Sequence, residues 1–160
     1  MRAEAIHYIV LHCSATRSDR PYSPEALERD HRARGFHGAG YHFYIRQLGT
    51  IIPLRPLHQI GAHVRGYNSC SWGICYEGGL DPNGKATDTR TEAQKVALRQ
   101  LLVQLKALAP QAEIVGHRDL SPDRNGDGHI DSSEWIKLCP CFDARTEYKL
   151  LTSPTTPHGK

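Results

Sequence analysis

Short apolar runs alternate along this chain with two segments that carry complete helix punctuation. Ile6-His7-Tyr8-Ile9-Val10-Leu11 is apolar and β-branched, and predicts a buried strand ending at His12. Ser23-Pro24-Glu25 supplies an N-cap, a first-turn proline and an early acid, opening a helix that should stop near Gly35. Tyr41 to Arg46 and Ile51 to Arg55 read as strands joined by a hairpin turn at Gln47-Leu48-Gly49-Thr50. Trp72 to Tyr76 is a further strand. Thr91-x-x-Gln94 has capping-box form, and Leu98, Leu101, Leu102 and Leu105 follow at helical spacing until Pro110. Glu113 to Gly116 predicts a last strand leading to His117, and Asp143 to Leu151 a terminal helix. The expected fold is therefore α/β: a single domain with a central mixed β-sheet of about five strands flanked by helices.

The 160 residues suffice for one domain with a real core. That domain is expected over residues 1–151, with Thr152 to Lys160 as a solvated tail. Charged residues at 23% and apolar ones at 39% exclude a disordered or membrane-embedded chain. The net charge of +3 fits an anionic partner, but no Lys/Arg run marks a nucleic-acid binder. No stretch approaches the roughly 20 apolar residues of a membrane helix. The opening Met1-Arg2-Ala3-Glu4 lacks the form of a secretory signal, so synthesis in the cytoplasm is expected. Neither nucleic acid nor a membrane is an expected partner, and a monomer is the expected state. Five cysteines, an odd number, exclude a complete disulfide framework and point to thiol or metal chemistry.

His12 and His117 each follow an apolar strand, where residues of an open α/β sheet face the ligand crevice. Cys139 lies beyond, before Pro140. Two imidazoles and a thiolate suit Zn²⁺, and three protein ligands leave one tetrahedral position open, the catalytic arrangement. The spacing alone equally fits satisfied core or surface histidines and a small buried cysteine, since ten histidines offer many accidental trios.

His12-Cys13-Ser14-Ala15-Thr16, Gly40-Tyr41-His42-Phe43, Gly66-Tyr67-Asn68, Trp72-Gly73-Ile74 with Gly78-Gly79, Gly116-His117 and Lys137-x-Cys139-Pro140-x-Phe142-Asp143 occur in this order. Together they resemble one family, the zinc-dependent N-acetylmuramoyl-L-alanine amidases of the bacteriophage-lysozyme and peptidoglycan-recognition-protein type. The resemblance spans residues 5–150. It implies zinc on His12, His117 and Cys139, with Tyr41 and Lys137 in the family's two catalytic polar positions. The implied reaction is hydrolysis of the amide between the muramic acid lactyl group and the first L-alanine, so peptidoglycan or muropeptides are the implied partners. A phenol and an ammonium suit that chemistry, because each can donate to an oxygen that gains negative charge. A core tyrosine and a solvated surface lysine are the plainer alternatives.

Three positions depart from the pattern. Some relatives carry a glutamate base where this chain has Cys75; Glu77, on the same strand face, is the candidate replacement, and a solvated strand-end acid the alternative. His63, just before the Gly66-Tyr67-Asn68 motif, reads with Asn68 as a substrate-binding or merely surface residue. Trp72 is expected to pack rather than to stack on sugar. Cys141 is an alternative metal ligand, Cys13 should point to the other face of the sheet, and Cys70 is a free loop thiol unless it pairs with Cys75.

Between His117 and Cys139 lies Asp123-Arg124-Asn125-Gly126-Asp127-Gly128-His129-Ile130-Asp131-Ser132-Ser133-Glu134. Asp123, Asn125, Asp127, Asp131 and Glu134, the His129 carbonyl and Gly128 fall at the diagnostic positions of an EF-hand loop, predicting Ca²⁺. The residues before it are too few for an entering helix, so a solitary structural half site with a leaving helix over Glu134 to Leu138 is expected. An unliganded polar turn is the alternative. Three other functions remain open: a non-catalytic recognition module of the same fold, a Cys/His peptidase using Cys13, and a calcium-binding interaction domain. Action on the cell wall is expected after release from the cytoplasm.

Overall fold

The apolar run after Ile6 forms β1 (Tyr8–Cys13), whose residues from Ile9 onward are buried. His12 thus lies inside the strand rather than just beyond it. In the computed structural model, which describes residues 1–152, β1 is followed by β2 (Thr16–Arg17), α1 (Pro24–Ala33), β3 (Phe43–Ile45), β4 (Ile51–Pro53), β5 (Ser71–Tyr76), β6 (Gly79–Leu80), α2 (Glu92–Leu108), β7 (Glu113–Gly116), α3 (Ala144–Glu147) and α4 (Lys149–Thr152). The main sheet has the order β4-β3-β5-β1-β7. β1 lies parallel between β5 and β7, β3 runs parallel to β5, and β4 turns back antiparallel at the edge. A parallel pair, β2 and β6, stands apart from it.

The expected punctuation acts as read. Ser23 accepts from the Ala26 amide with Pro24 in the first turn, and α1 ends just before Gly35, whose φ of +89° suits glycine. Thr91 and Gln94 cap α2 reciprocally. The β3–β4 turn places Gly49 at φ +87°, where an added Cβ would stand 2.8 Å from the Ala93 carbonyl oxygen.

Strand alternation divides β1 between two faces. Ile9, Leu11 and Cys13 join the main core with Leu98, Leu101, Leu102 and Leu105 of α2. Each such leucine contributes roughly 1.5–3 kcal/mol on full burial, which clamps α2 to that face. Val10 and His12 point the other way. On that second face His12 pairs in register with Cys75, and Leu27 of α1 packs with Ala39, Tyr44 and Cys75. Trp72 is buried and its indole N–H donates to the Leu57 carbonyl, so it packs as expected.

Two segments differ from expectation. The terminal helix is broken into α3 and α4 because Tyr148 turns into the core, against Phe142, with its hydroxyl accepting from Arg90 Nη1 at 3.3 Å. No helix forms over residues 134–138, which run as an irregular segment. Thr152 closes α4, and the remainder of the expected tail lies outside the described residues. Among the described residues, no helix is long and apolar enough to cross a membrane. All five cysteines are free, so Cys70 and Cys75 are not joined.

Candidate active site

Three segments distant in sequence bring His12, His117 and Cys139 together. β1 supplies His12 from its pleat, buried to 1% exposure. β7 ends at Gly116, and His117 opens the short 3-10 turn His117–Leu120, fixed by the Gly116 amide donating to Asp119 Oδ2 at 2.7 Å. Cys139 arrives on an irregular segment that turns at a cis Cys139–Pro140 bond. An added Cβ at Gly116 would stand 2.6 Å from Pro140 Cδ, so glycine is what lets this segment dock against the strand end. The Arg118 amide donates to the Cys139 carbonyl at 2.9 Å, and the Tyr76 hydroxyl to the Pro140 carbonyl at 2.7 Å.

One ligand atom from each of the three residues lies within 4.8 Å of the others, with His12 Nδ1 3.8 Å from Cys139 Sγ. Tetrahedral zinc with bonds of about 2.0–2.3 Å separates its ligand atoms by about 3.5 Å, so the trio needs little movement to close on the ion. The donor chemistry also fits. Burial, with His63 and His117 nearby, holds the His12 imidazole well below its usual pKa. Burial and the Lys137 ammonium bring His117 down to about 4. Both rings are therefore neutral at pH 7, the form that binds a metal. Cys141 takes no part: its sulfur lies 4.0 Å from Cys13 Sγ and its backbone turns to φ +71°.

The trio forms the floor of a cleft of about 600 Å³. Tyr41 is half-buried beside it, its ring 5.0 Å from that of His12, and burial pushes its phenol well above the usual value. Lys137 is exposed and also lines the cleft. Both residues expected to serve catalysis thus flank the trio.

Other expected site residues behave differently. Glu77 is 2% exposed and lies outside the cleft. Its carboxylate accepts from Arg46 Nε at 2.6 Å and from the Tyr22 and Gln47 amides at 2.7 and 3.1 Å. A buried carboxylate needs such partners, and they leave Glu77 a structural anchor, not a base. Asn68 lines the cleft, but its Oδ1 accepts from the His63 and Val64 amides at 2.9 Å each. His63 is seated beside His12, its Nδ1 2.9 Å from His12 Nε2.

The loop from Asp123 to Glu134 lies away from the cleft. Among the described residues, the converging group of potential metal-ligand atoms is His12, His117 and Cys139. In the loop, Asp123 accepts from the Gly126 and Gly128 amides, and the buried Glu134 folds back to accept from Arg124, Asn125 and Asp131 amides. The expected leaving helix is absent because Glu134 caps the loop and the chain then passes directly toward Lys137.

His31, Arg34 and Arg65 also line the cleft and were not singled out from sequence. His31 accepts from the Gly40 amide at 2.8 Å and its ring lies 5.3 Å from that of Tyr41. A polar residue four positions after Leu27, on the apolar stripe of α1, was the available signal. Cys13 is 6% exposed and its thiol is pushed up to about 12, chiefly by its contact with Cys139, which disarms it as a peptidase nucleophile.

Residues 2–132 match the family described as N-acetylmuramoyl-L-alanine amidase. The chain is 36% identical to an endolysin of Klebsiella phage KP32, covering 94% of this chain and 91% of that one. It is 34% identical to the endolysin of Escherichia phage T7, covering 98% and 94% respectively. A solved N-acetylmuramoyl-L-alanine amidase, LysC from Clostridium intestinale, superposes with a TM-score of 0.70 at 27% identity, covering 94% of this chain and 89% of its own. Drosophila PGRP-LB shares the fold, with a TM-score of 0.67 at 22% identity, 97% of this chain and 83% of that one covered. A fold of this kind, with His12, His117 and Cys139 converging in its cleft and likeness to phage endolysins over more than nine-tenths of the chain, places the chain in the N-acetylmuramoyl-L-alanine amidase family.

Proposed function

We propose that this chain hydrolyses the amide between N-acetylmuramic acid and L-alanine in peptidoglycan, with zinc held by His12, His117 and Cys139. The carrying observation is the convergence of those three ligand atoms within 4.8 Å, under a cleft flanked by Tyr41 and Lys137. Zinc, when bound, supplies Lewis-acid polarisation of the scissile carbonyl and acidifies the attacking water.

The chain's own groups do the rest. Tyr41 keeps its proton at neutral pH, so its hydroxyl donates a hydrogen bond to the carbonyl oxygen as that oxygen gains charge. Lys137, exposed in the same cleft, presents a cation to the same developing charge. Arg34 and Arg65 add positive charge to a cleft whose lining contains no carboxylate. That field suits the carboxylates of a stem peptide and steers an anionic substrate inward. The reading includes action on the cell wall, as for the phage endolysins it resembles, and a monomeric working state.

A structural calcium ion in loop 123–134 is part of this reading. The alternating oxygen side chains of Asp123, Asn125, Asp127 and Asp131, the His129 carbonyl and the infolded Glu134 support it. Calorimetric titration of chelator-stripped protein with Ca²⁺ is expected to give one site per chain; no heat up to millimolar calcium would remove the ion from the account.

Purified protein, assayed for metal content and then incubated with peptidoglycan, tests the whole. New L-alanine amino termini without new reducing ends, together with one zinc per chain, are the expected results. Activity that survives zinc chelation but is lost on alkylation of Cys13 would replace this reading with a thiol peptidase.

A further inference from the structure

We propose that His63 is the positioning residue of the zinc ligand His12, fixing its tautomer through a one-way hydrogen-bond chain that ends on the Tyr67 carbonyl. This inference rests on the zinc reading above. The chain runs from His12 Nε2 to His63 Nδ1 at 2.9 Å, from His63 Nε2 to Ser71 Oγ at 3.3 Å, and from Ser71 Oγ to the Tyr67 carbonyl oxygen at 2.8 Å.

Its direction follows from the far end. A carbonyl oxygen only accepts, so the single Ser71 hydroxyl proton is committed to Tyr67. Ser71 Oγ can then only accept from His63, which places the His63 proton on Nε2. His63 Nδ1 is left with a lone pair, so His12 must donate from Nε2. The lone pair of His12 therefore lies on Nδ1, the nitrogen 3.8 Å from Cys139 Sγ. Three groups of the protein, His63, Ser71 and the Tyr67 carbonyl, thus select, before any metal arrives, the one neutral form of His12 that offers an electron pair to the trio. Ligating histidines characteristically hold their tautomer through a partner on the second ring nitrogen.

The place of His63 is built around its ring. Added Cβ atoms at Gly61 and Gly73 would stand 2.6 Å from His63 Cδ2 and 2.7 Å from His63 Cγ, so two glycines leave the slot that the imidazole fills. Asn68 Oδ1 pins the His63 and Val64 amides at 2.9 Å each, which sets the backbone from which the ring hangs. His63 also lines the cleft, but with both ring nitrogens spent inside the protein it has no free nitrogen to offer a substrate.

The test compares wild type with His63→Ala, His63→Asn and Ser71→Ala. Nitrogen-15 NMR of the metal-free protein reads the His12 tautomer, and competition with a calibrated chelator reads zinc affinity. Wild type is expected to show His12 protonated at Nε2. His63→Ala should weaken zinc binding by about 10–100-fold. His63→Asn, whose Oδ1 reproduces the Nδ1 acceptor, should recover most of that loss, and zinc-saturated His63→Ala should keep the wild-type KM. Ser71→Ala leaves the ring in its slot and should populate both His63 tautomers, so it carries the test if His63→Ala does not fold. Wild-type zinc affinity in His63→Ala, or an unchanged tautomer balance in Ser71→Ala, overturns the proposal. So does a raised KM with zinc affinity intact. If wild type itself binds no zinc, the failure belongs to the zinc reading instead.

Discussion

The Cys13 amide donates to Cys139 Sγ at 3.3 Å across 126 residues of sequence. The residue next to one proposed metal ligand on the central strand thus holds another proposed ligand in place through its backbone. This donor comes from the backbone, so it stays in place when the Cys13 side chain is changed. Cys139→Ser is therefore expected to keep the fold, lose stoichiometric zinc and lose activity by about two orders of magnitude or more. Cys13→Ala, which leaves the amide intact, should retain zinc and turnover. Metal analysis and peptidoglycan release assays check both, and an inactive Cys13→Ala with full zinc would favour a thiol nucleophile.

Tyr41 and Lys137 both line the cleft that holds the trio and act on the same oxygen in the proposed mechanism. Tyr41→Phe and Lys137→Ala are each expected to lower kcat by about 10²–10³-fold with zinc content unchanged. The double variant should lose less than the product of the two, because both donors serve one developing charge. Steady-state kinetics on a soluble muropeptide separates kcat from KM, and a change confined to KM would reduce either residue to a binding role.

Much of this site was legible because strands and helices carry local signals. Ile6 to Leu11 and Glu113 to Gly116 deliver His12 and His117 to one end of the parallel pair β1 and β7 through patterning that any window of a few residues contains. Cys139 became legible only through its motif, since the irregular segment that carries it has no period to read. Glu77 misled because alternation placed it on the Cys75 face, while its actual partners, Arg46 and the Tyr22 and Gln47 amides, come from segments that alternation does not relate to it. The pairing of His63 with His12 joins positions 51 apart and depends on two glycines making room. The break at Tyr148 likewise follows from tertiary demand, a buried ring whose hydroxyl accepts from Arg90, that local helix propensity does not encode.

His31 gives a pH dependence with a definite sign. Burial, then Arg34 and Arg55, brings its pKa down to about 4, against about 6.5 in an unfolded chain. Between those values the unfolded chain binds the extra proton, so stability falls as pH drops from 6.5 toward 4 and is fully present above 6.5. The contribution is at most about 3 kcal/mol. His31→Asn retains an acceptor for the Gly40 amide but does not titrate in this range. Urea unfolding of metal-free protein at pH 7 and pH 4.5 should show a smaller loss for the variant than for wild type; parallel losses would show that His31 ionises freely in the fold.

The loop from Asp123 to Glu134 is placed to act on the site through the chain itself. Glu134 closes the loop, the Ile136 amide donates to Ser121 Oγ at 3.1 Å, and Lys137 and Cys139 follow within five residues of Glu134. An ion binding Asp127 and Glu134 would shorten the reach of this segment and restrict where Lys137 can stand. Asp127→Ala/Glu134→Ala is accordingly expected to lower the thermal midpoint in calcium and to reduce kcat, while zinc binding, anchored separately by Gly116, Arg118 and Tyr76, changes less. Assays in chelator-buffered, zinc-replete solution isolate the effect, since wild type without calcium should then resemble the variant. Full activity and an unchanged midpoint in the double variant would show that the loop only bridges His117 to Cys139.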